Sequence, residues 1–216
     1  MFSQNIDTII STPIYKSYFS YSTRTPLFVV YKLYKGGGNA SRRGMDFTTD
    51  GLKKCANKAD YVGNGYDVGH MANAEDFAFD IDKEKMTFKF YNAIPQTPKL
   101  NRGCWKTIET NVRKLSQTDS LLIICGGYSF NKKMGTCYVP SYCFKIIKNL
   151  ADGTVKTYIF PNDDSNKYVE IKTSDLGHQP NFPRNWYLVL GKMLIEWGWL
   201  LIMFEWKVGI FPAFCF

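Results

Sequence analysis

The sequence predicts an α+β fold, because short β-rich runs and an amphipathic helical stretch follow one another without regular alternation. Three observations carry that prediction. Leu27-Phe28-Val29-Val30-Tyr31-Lys32-Leu33-Tyr34 is dominated by β-branched and aromatic residues. Trp105, Ile108, Val112 and Leu115 recur at spacings of three and four, one apolar stripe with Lys106, Glu109, Arg113 and Lys114 off it. Leu121-Leu122-Ile123-Ile124-Cys125 is a strand-length apolar run that Gly126-Gly127 is expected to end.

In chain order, the first β-rich run meets a break at Gly36-Gly37-Gly38-Asn39. Arg42 and Arg43 follow in a segment without clear period, and Ala59 to Tyr66 is rich in turn formers. Thr87-Phe88-Lys89-Phe90-Tyr91-Asn92 alternates like a half-buried strand. The helical pattern starts at Asn101, and the buried strand of Ser120 to Cys125 comes after it. Further strands are expected at Tyr142 to Lys148, Val155 to Phe160 and Tyr168 to Ile171. Residues 1–174 then read as one domain and 175–216 as an apolar C-terminal tail. Lys192, Glu196, Glu205 and Lys207 interrupt that tail, so no apolar window of roughly 18 residues survives to span a bilayer. A core-packing or partner-binding helix is expected there, with membrane association and a homodimer left open.

A chain of 216 residues is long enough to bury a sizeable core without staples. Lys plus Arg number 27 against 19 Asp plus Glu, a net charge of +8, which suits a polyanionic partner such as nucleic acid. Ordinary solvated charge is the competing reading. None of the six cysteines forms a Cys-x-x-Cys pair, which argues against a structural zinc site. Cys125, inside an apolar run, reads as a buried thiol. The scatter of the cysteines suits a reducing compartment, although Cys137 and Cys143 could pair in an oxidising one. Met1 to Asp7 lacks the basic start and apolar run of a signal peptide, so a cytoplasmic or phage and host-cell setting is expected over export.

Only two histidines are present. His70 sits among Asp67, Asn73, Glu75 and Asp76, whereas His178 lies in the turn-prone Leu176-Gly177-His178-Gln179-Pro180. Residue type alone does not separate a base from a structural histidine. Amides crowd a second stretch at Asn92, Gln96 and Asn101. An Asn oxygen suits a hard cation such as Mg²⁺, and Glu109 could hold metal-bound water. By residue type alone, Asn101 reads first as a helix cap.

The ordered set is more specific than its parts. Ala59-Asp60-Tyr61, Asp67-Val68-Gly69-His70-Met71-Ala72, Phe90-Tyr91-Asn92-Ala93-Ile94-Pro95-Gln96 and Leu100-Asn101-Arg102-Gly103-Cys104-Trp105 with Glu109 resemble the DNA/RNA non-specific endonucleases. These are the ββα-metal, or His-Me finger, nucleases, and the resemblance spans roughly residues 27 to 171. Ile124-Cys125-Gly126-Gly127 and Val139 to Lys145 are similar to the family's central strand and the segment after it.

The resemblance implies a central, mostly antiparallel sheet flanked by helices, with a ββα-metal motif holding His70 and Asn101. It implies that residues 1–174 form a Mg²⁺-dependent endonuclease domain acting on DNA and RNA, with Mn²⁺ as a substitute ion. In that scheme His70 is the general base, Asn101 the sole direct protein ligand of the metal, and Glu109 a partner of its hydration shell. Asn92 is a supporting amide. Arg43 is the upstream catalytic cation, with Arg42 as the alternative, and Arg42 and Arg102 contact substrate. Two departures stand out. Val68 occupies a position where the family often has arginine, and the tail beyond Ser174 matches nothing in the family pattern. The loss of a cation at position 68 favours the rival expectation, a nucleic-acid-binding module that does not cleave.

Overall fold

The computed structural model describes residues 4–186 and 188–195. In chain order, three strands open the chain: β1 (Thr8–Ser11), β2 (Lys16–Ser20) and β3 (Thr25–Leu33). Next come α1 (Lys58–Tyr61), β4 (Asp67–His70), α2 (Ile81–Thr87) and β5 (Ala93–Gln96). Two helices follow, α3 (Pro98–Arg102) and α4 (Cys104–Leu115). The remaining strands are β6 (Leu121–Met134), β7 (Cys137–Asn149), β8 (Val155–Pro161) and β9 (Val169–Ile171). Seven strands form one sheet in the order β1-β2-β3-β6-β7-β8-β9, and every neighbouring pair is antiparallel. β4 and β5 form a separate antiparallel ribbon.

Period-two alternation divides the sheet's side chains between two cores. Val29, Tyr31, Ile123, Cys125 and Ile147 face one side, where they pack with Ile94 of β5 and Trp105, Ile108 and Val112 of α4. Phe28, Val30, Leu122, Ile124, Phe144 and Ile146 face the other. There they meet Leu176, Phe182, Trp186, Leu190 and Met193. Both faces are apolar because both are covered, which explains the unbroken hydrophobic run of β6. Residues 184–186 and 188–195 are helical. The buried Trp186, Leu190 and Met193 repeat at helical spacing, so the described part of the tail packs into the core. The rest of that tail, Cys215 included, lies outside the described residues. No helix among the described residues is long and apolar enough to cross a membrane.

Several sequence expectations are corrected. The segment Thr87–Asn92 is not a strand: Thr87 closes α2, and Phe90–Asn92 is a single 3₁₀ turn. Phe88, Phe90 and Tyr91 are all buried, so the alternation around Lys89 is coincidental. Glu109 does not lie on an exposed face of α4, being buried beside Trp105, while Leu115 is the exposed member of the apolar stripe. Asn101 caps nothing: Thr97 caps α3 by accepting from the Leu100 N–H, and Gly103 precedes α4 without a side-chain cap. Cys137 and Cys143 are both free and buried, as are Cys55, Cys104 and Cys125.

Gly126-Gly127 does not end the strand either; β6 runs on through it. A Cβ at Gly126 would run into the carbonyl oxygen of Leu27 on β3, and one at Gly127 would meet the Pro140 ring 2.7 Å away. The glycines are there because neighbours approach closely, not because the chain turns. Gly126→Ala should therefore overpack the sheet and cost about 1–3 kcal/mol, read as a lower urea midpoint with an unchanged slope. An unaltered midpoint would show that the β3–β6 spacing yields freely.

Candidate active site

The β4–β5 ribbon and the two helices after it gather most of the sequence-predicted site residues into one cleft of about 320 Å³. His70 ends β4 opposite Ala93 in the ribbon register. Gly69 precedes it because a side chain there would collide with the amide of Gln96 across the ribbon. Asn101 and Arg102 close α3, and Glu109 projects from the buried face of α4. His70, Asn101 and Glu109 line the cleft together with Arg42, Arg102, Lys106, Asn73 and Glu75. A larger, more open cavity of about 610 Å³ beside Tyr66, Thr97 and Lys132 contains none of the predicted residues.

His70 is half-buried, with its ring 4.7 Å from that of Phe47 and edge-on to Phe88 at 4.8 Å. Nε2 is shielded from solvent and has no hydrogen-bond partner. Burial among these rings, with Arg42 nearby as a second cause, pushes the imidazole down to about 3. The ring is therefore neutral across the physiological range.

Asp67, at the other end of β4, organises α3. Asn101 donates its amide Nδ2 to Asp67 Oδ2 at 2.9 Å. Arg102 donates to the same carboxylate twice, through Nε at 2.8 Å and Nη2 at 2.6 Å. Partial burial acts to raise the Asp67 carboxyl, but these bonds outweigh it and hold the group below its usual range. Because the amide nitrogen must face the carboxylate, Asn101 Oδ1 is turned away from it.

Glu109 has a partner the sequence did not announce. Lys145, on β7 and 1% exposed, places Nζ 3.4 Å from Glu109 Oε1 and 4.1 Å from the centre of the Trp105 ring. Burial raises the Glu109 carboxyl, and the Lys145 ammonium opposes that rise. One charged residue within Cys143-Phe144-Lys145-Ile146-Ile147 was the available signal. Arg113 of α4 completes the lattice behind the cleft, pairing with Glu75 at 2.5 Å and Asp76 at 2.6 Å.

The remaining predicted residues fall elsewhere. Asn92 is fully buried and does not line the cleft. Its amide donates to the carbonyls of Ala72 and Thr87 and accepts from the Ala72 N–H, so it positions the chain next to His70. Arg43 lies in an exposed turn outside the lining, and Arg42 takes the place in the cleft. Val68 is half-buried against the core and brings no charge. His178 is exposed at the end of the 3₁₀ helix Thr173–His178 and does not line the cleft.

Mitochondrial endonuclease G from Bos taurus is 31% identical over 163 residues, covering 65% of this chain and 54% of that protein. Mitochondrial nuclease 1 of Schizosaccharomyces pombe is 30% identical over 156 residues, covering 68% of this chain and 48% of the relative. The chain thus spans about half the length of these relatives. A solved EndoG structure, from its complex with EndoGI, superposes with a TM-score of 0.70 at 24% identity, covering 81% of this chain and 84% of that one. That likeness establishes the α+β fold. A family model described as DNA/RNA non-specific endonuclease matches residues 1–181, and the chain belongs to that family.

Proposed function

We propose that this chain is a Mg²⁺-dependent endonuclease that hydrolyses phosphodiester bonds of DNA and RNA without sugar preference. The observation that carries the reading is the meeting of a neutral imidazole, an oriented amide oxygen and a buried carboxylate in one cleft. Arginine and lysine at the rim suit a phosphate backbone, and contacts confined to phosphate would explain indifference to sequence and sugar.

The donor set fits a hydrated magnesium ion. Asn101 offers a neutral oxygen turned away from Asp67, and Glu109 a carboxylate for bound water, the sparse protein ligation that Mg²⁺ accepts. Bound there, the metal would stabilise negative charge developing on the phosphate oxygens. Mn²⁺, which favours similar oxygen donors, is the expected substitute. The other duties fall to the chain. His70, neutral and with Nε2 enclosed, has Nδ1 to take a proton from the attacking water. Asn92 holds the backbone beyond His70, and Asp67 holds Asn101. Arg42 and Arg102 supply cations at the rim where Val68 supplies none.

A non-cleaving nucleic-acid-binding module is the second reading, and Val68 is the observation that favours it. Plasmid nicking with Mg²⁺ decides between them. Wild type should nick supercoiled DNA and degrade RNA, while His70→Ala should lower the rate by about 10²–10⁴-fold. Asn101→Ala should also slow nicking and require more Mg²⁺ for its half-maximal rate. Equal cleavage by wild type and His70→Ala would remove this residue as the base, and no cleavage by wild type would leave the binding module.

The state of His70 also predicts a pH dependence of stability. The folded chain keeps the imidazole neutral down to about 3, whereas the unfolded one protonates near 6.5. Its folded pKa is depressed, so the associated stability is present above 6.5 and is lost as the pH falls toward 3. Between about pH 7 and about pH 4, wild type should lose more stability in urea than His70→Gln does. Parallel losses would show that the ring is not held neutral.

A further inference from the structure

Arg42 is the arginine that the fold brings to the cleft, but it stands on a stretch without helix or strand. A guanidinium on such a stretch carries large rotamer freedom, and a phosphate that binds it must first order it. Here two carboxylates hold it, one at Nε and one at Nη2. Glu84, on α2, accepts from Arg42 Nε at 2.9 Å, and its side chain is 0% exposed. Glu75, at the cleft lining, stands 3.2 Å from Arg42 Nη2 with a side chain 45% exposed. The second oxygen of Glu84 is buried and has no partner.

This is a poor arrangement for stability alone. A carboxylate taken fully out of water for one half-exposed partner recovers little of its desolvation cost. Its geometric effect is definite. A rigid acceptor at Nε fixes the plane of the guanidinium and leaves its terminal nitrogens for other partners. In front of them stands Glu75, which Arg113 also pairs with at 2.5 Å and so holds in place without Arg42.

We infer that Glu84 is a positioning residue for substrate: it aims Arg42 into the cleft, where a phosphate oxygen of the nucleic acid replaces Glu75 on the terminal nitrogens. The inference rests on the endonuclease reading for its ligand, a phosphodiester backbone. It explains how a cleft that gains no charge from Val68 still presents an ordered cation. A preset guanidinium does not have to be ordered at the moment of binding, and an exposed carboxylate is an easily exchanged occupant for it.

The sign of one measurement separates positioning from bulk charge. Removing a carboxylate from a polyanion-binding face should, by charge alone, tighten binding. Loss of positioning should weaken it. Binding of a fluorescent DNA duplex to the full chain, without metal and over a KCl series, is measured by anisotropy for wild type, Glu84→Met, Glu84→Gln, Arg42→Ala and Glu84→Met with Arg42→Ala. Arg42→Ala should weaken binding and reduce the salt slope by about one. Glu84→Met, close in volume to the original side chain, should weaken binding about 3- to 10-fold. Glu84→Gln, which keeps one acceptor, should fall between it and wild type. In the Arg42→Ala background the Glu84 change should have no further effect.

Mg²⁺-dependent nicking by the same proteins should show a raised KM for Glu84→Met with a smaller change in kcat. DNA binding by Glu84→Met or Glu84→Gln as tight as that of wild type, or an equal loss with and without Arg42, overturns the inference. If Glu84→Met does not fold, judged by circular dichroism, Glu84→Gln carries the comparison. If wild type binds DNA but never nicks it, the endonuclease reading fails while the binding series still decides the role of Glu84.

Discussion

The buried amide of Asn92 is the constraint on which the rest of the site depends. Its three hydrogen bonds join the backbone just after β4 to the end of α2. The Asn92 carbonyl adds a fourth link by accepting from the Met71 N–H. An amide whose donors and acceptor are all used inside a dry core tolerates little movement of its partners. It therefore sets two distances at once. His70 is fixed relative to the ribbon, and α2, which carries Glu84, is fixed relative to His70.

From that anchor, charge is distributed outward with exposure. Lys145 and Glu109 lie in the dry layer between sheet and α4, where each is tolerable because the other is present. Asp76 is similarly enclosed and is shared by Arg113 and the Tyr31 hydroxyl. Nearer solvent, Asp67 serves Asn101 and Arg102 together. Glu75 and Arg42, each nearly half exposed, and the still more exposed Arg102 are able to exchange a partner for solvent or ligand. Rigidity at the base and exchangeability at the rim would suit the proposed task of holding a water and a phosphate in register.

Much of this was legible in the sequence, for identifiable reasons. The β3 and β6 runs and the α4 stripe follow from periodicity, a local property, while the ordered set around His70, Asn101 and Glu109 stood out through its resemblance to a family. What escaped was non-local. Nothing local in Phe88-Lys89-Phe90 distinguishes a strand from a turn whose rings fall into a core on every side. Gly126-Gly127 has the sequence of a terminus and the role of a close contact, a distinction that needs β3 and Pro140 in view. The choice of Arg42 over Arg43 depends on Glu84, 42 residues away. The partner of Lys145, Glu109, lies 36 residues away on α4 and is equally out of local view.

The second core carries a different consequence. The helical residues 184–186 and 188–195 cover the sheet face turned away from the cleft, with Trp186 also tied by its indole N–H to the Gln4 carbonyl. The sheet thus separates two tasks, one face given to chemistry and the other to concealment. Without residues 176–195, Phe28, Val30, Ile124 and Ile146 would form a contiguous greasy wall, the kind of surface on which copies of a chain adhere to one another. A shortened form would therefore expose that wall on the side of the strands turned away from the cleft.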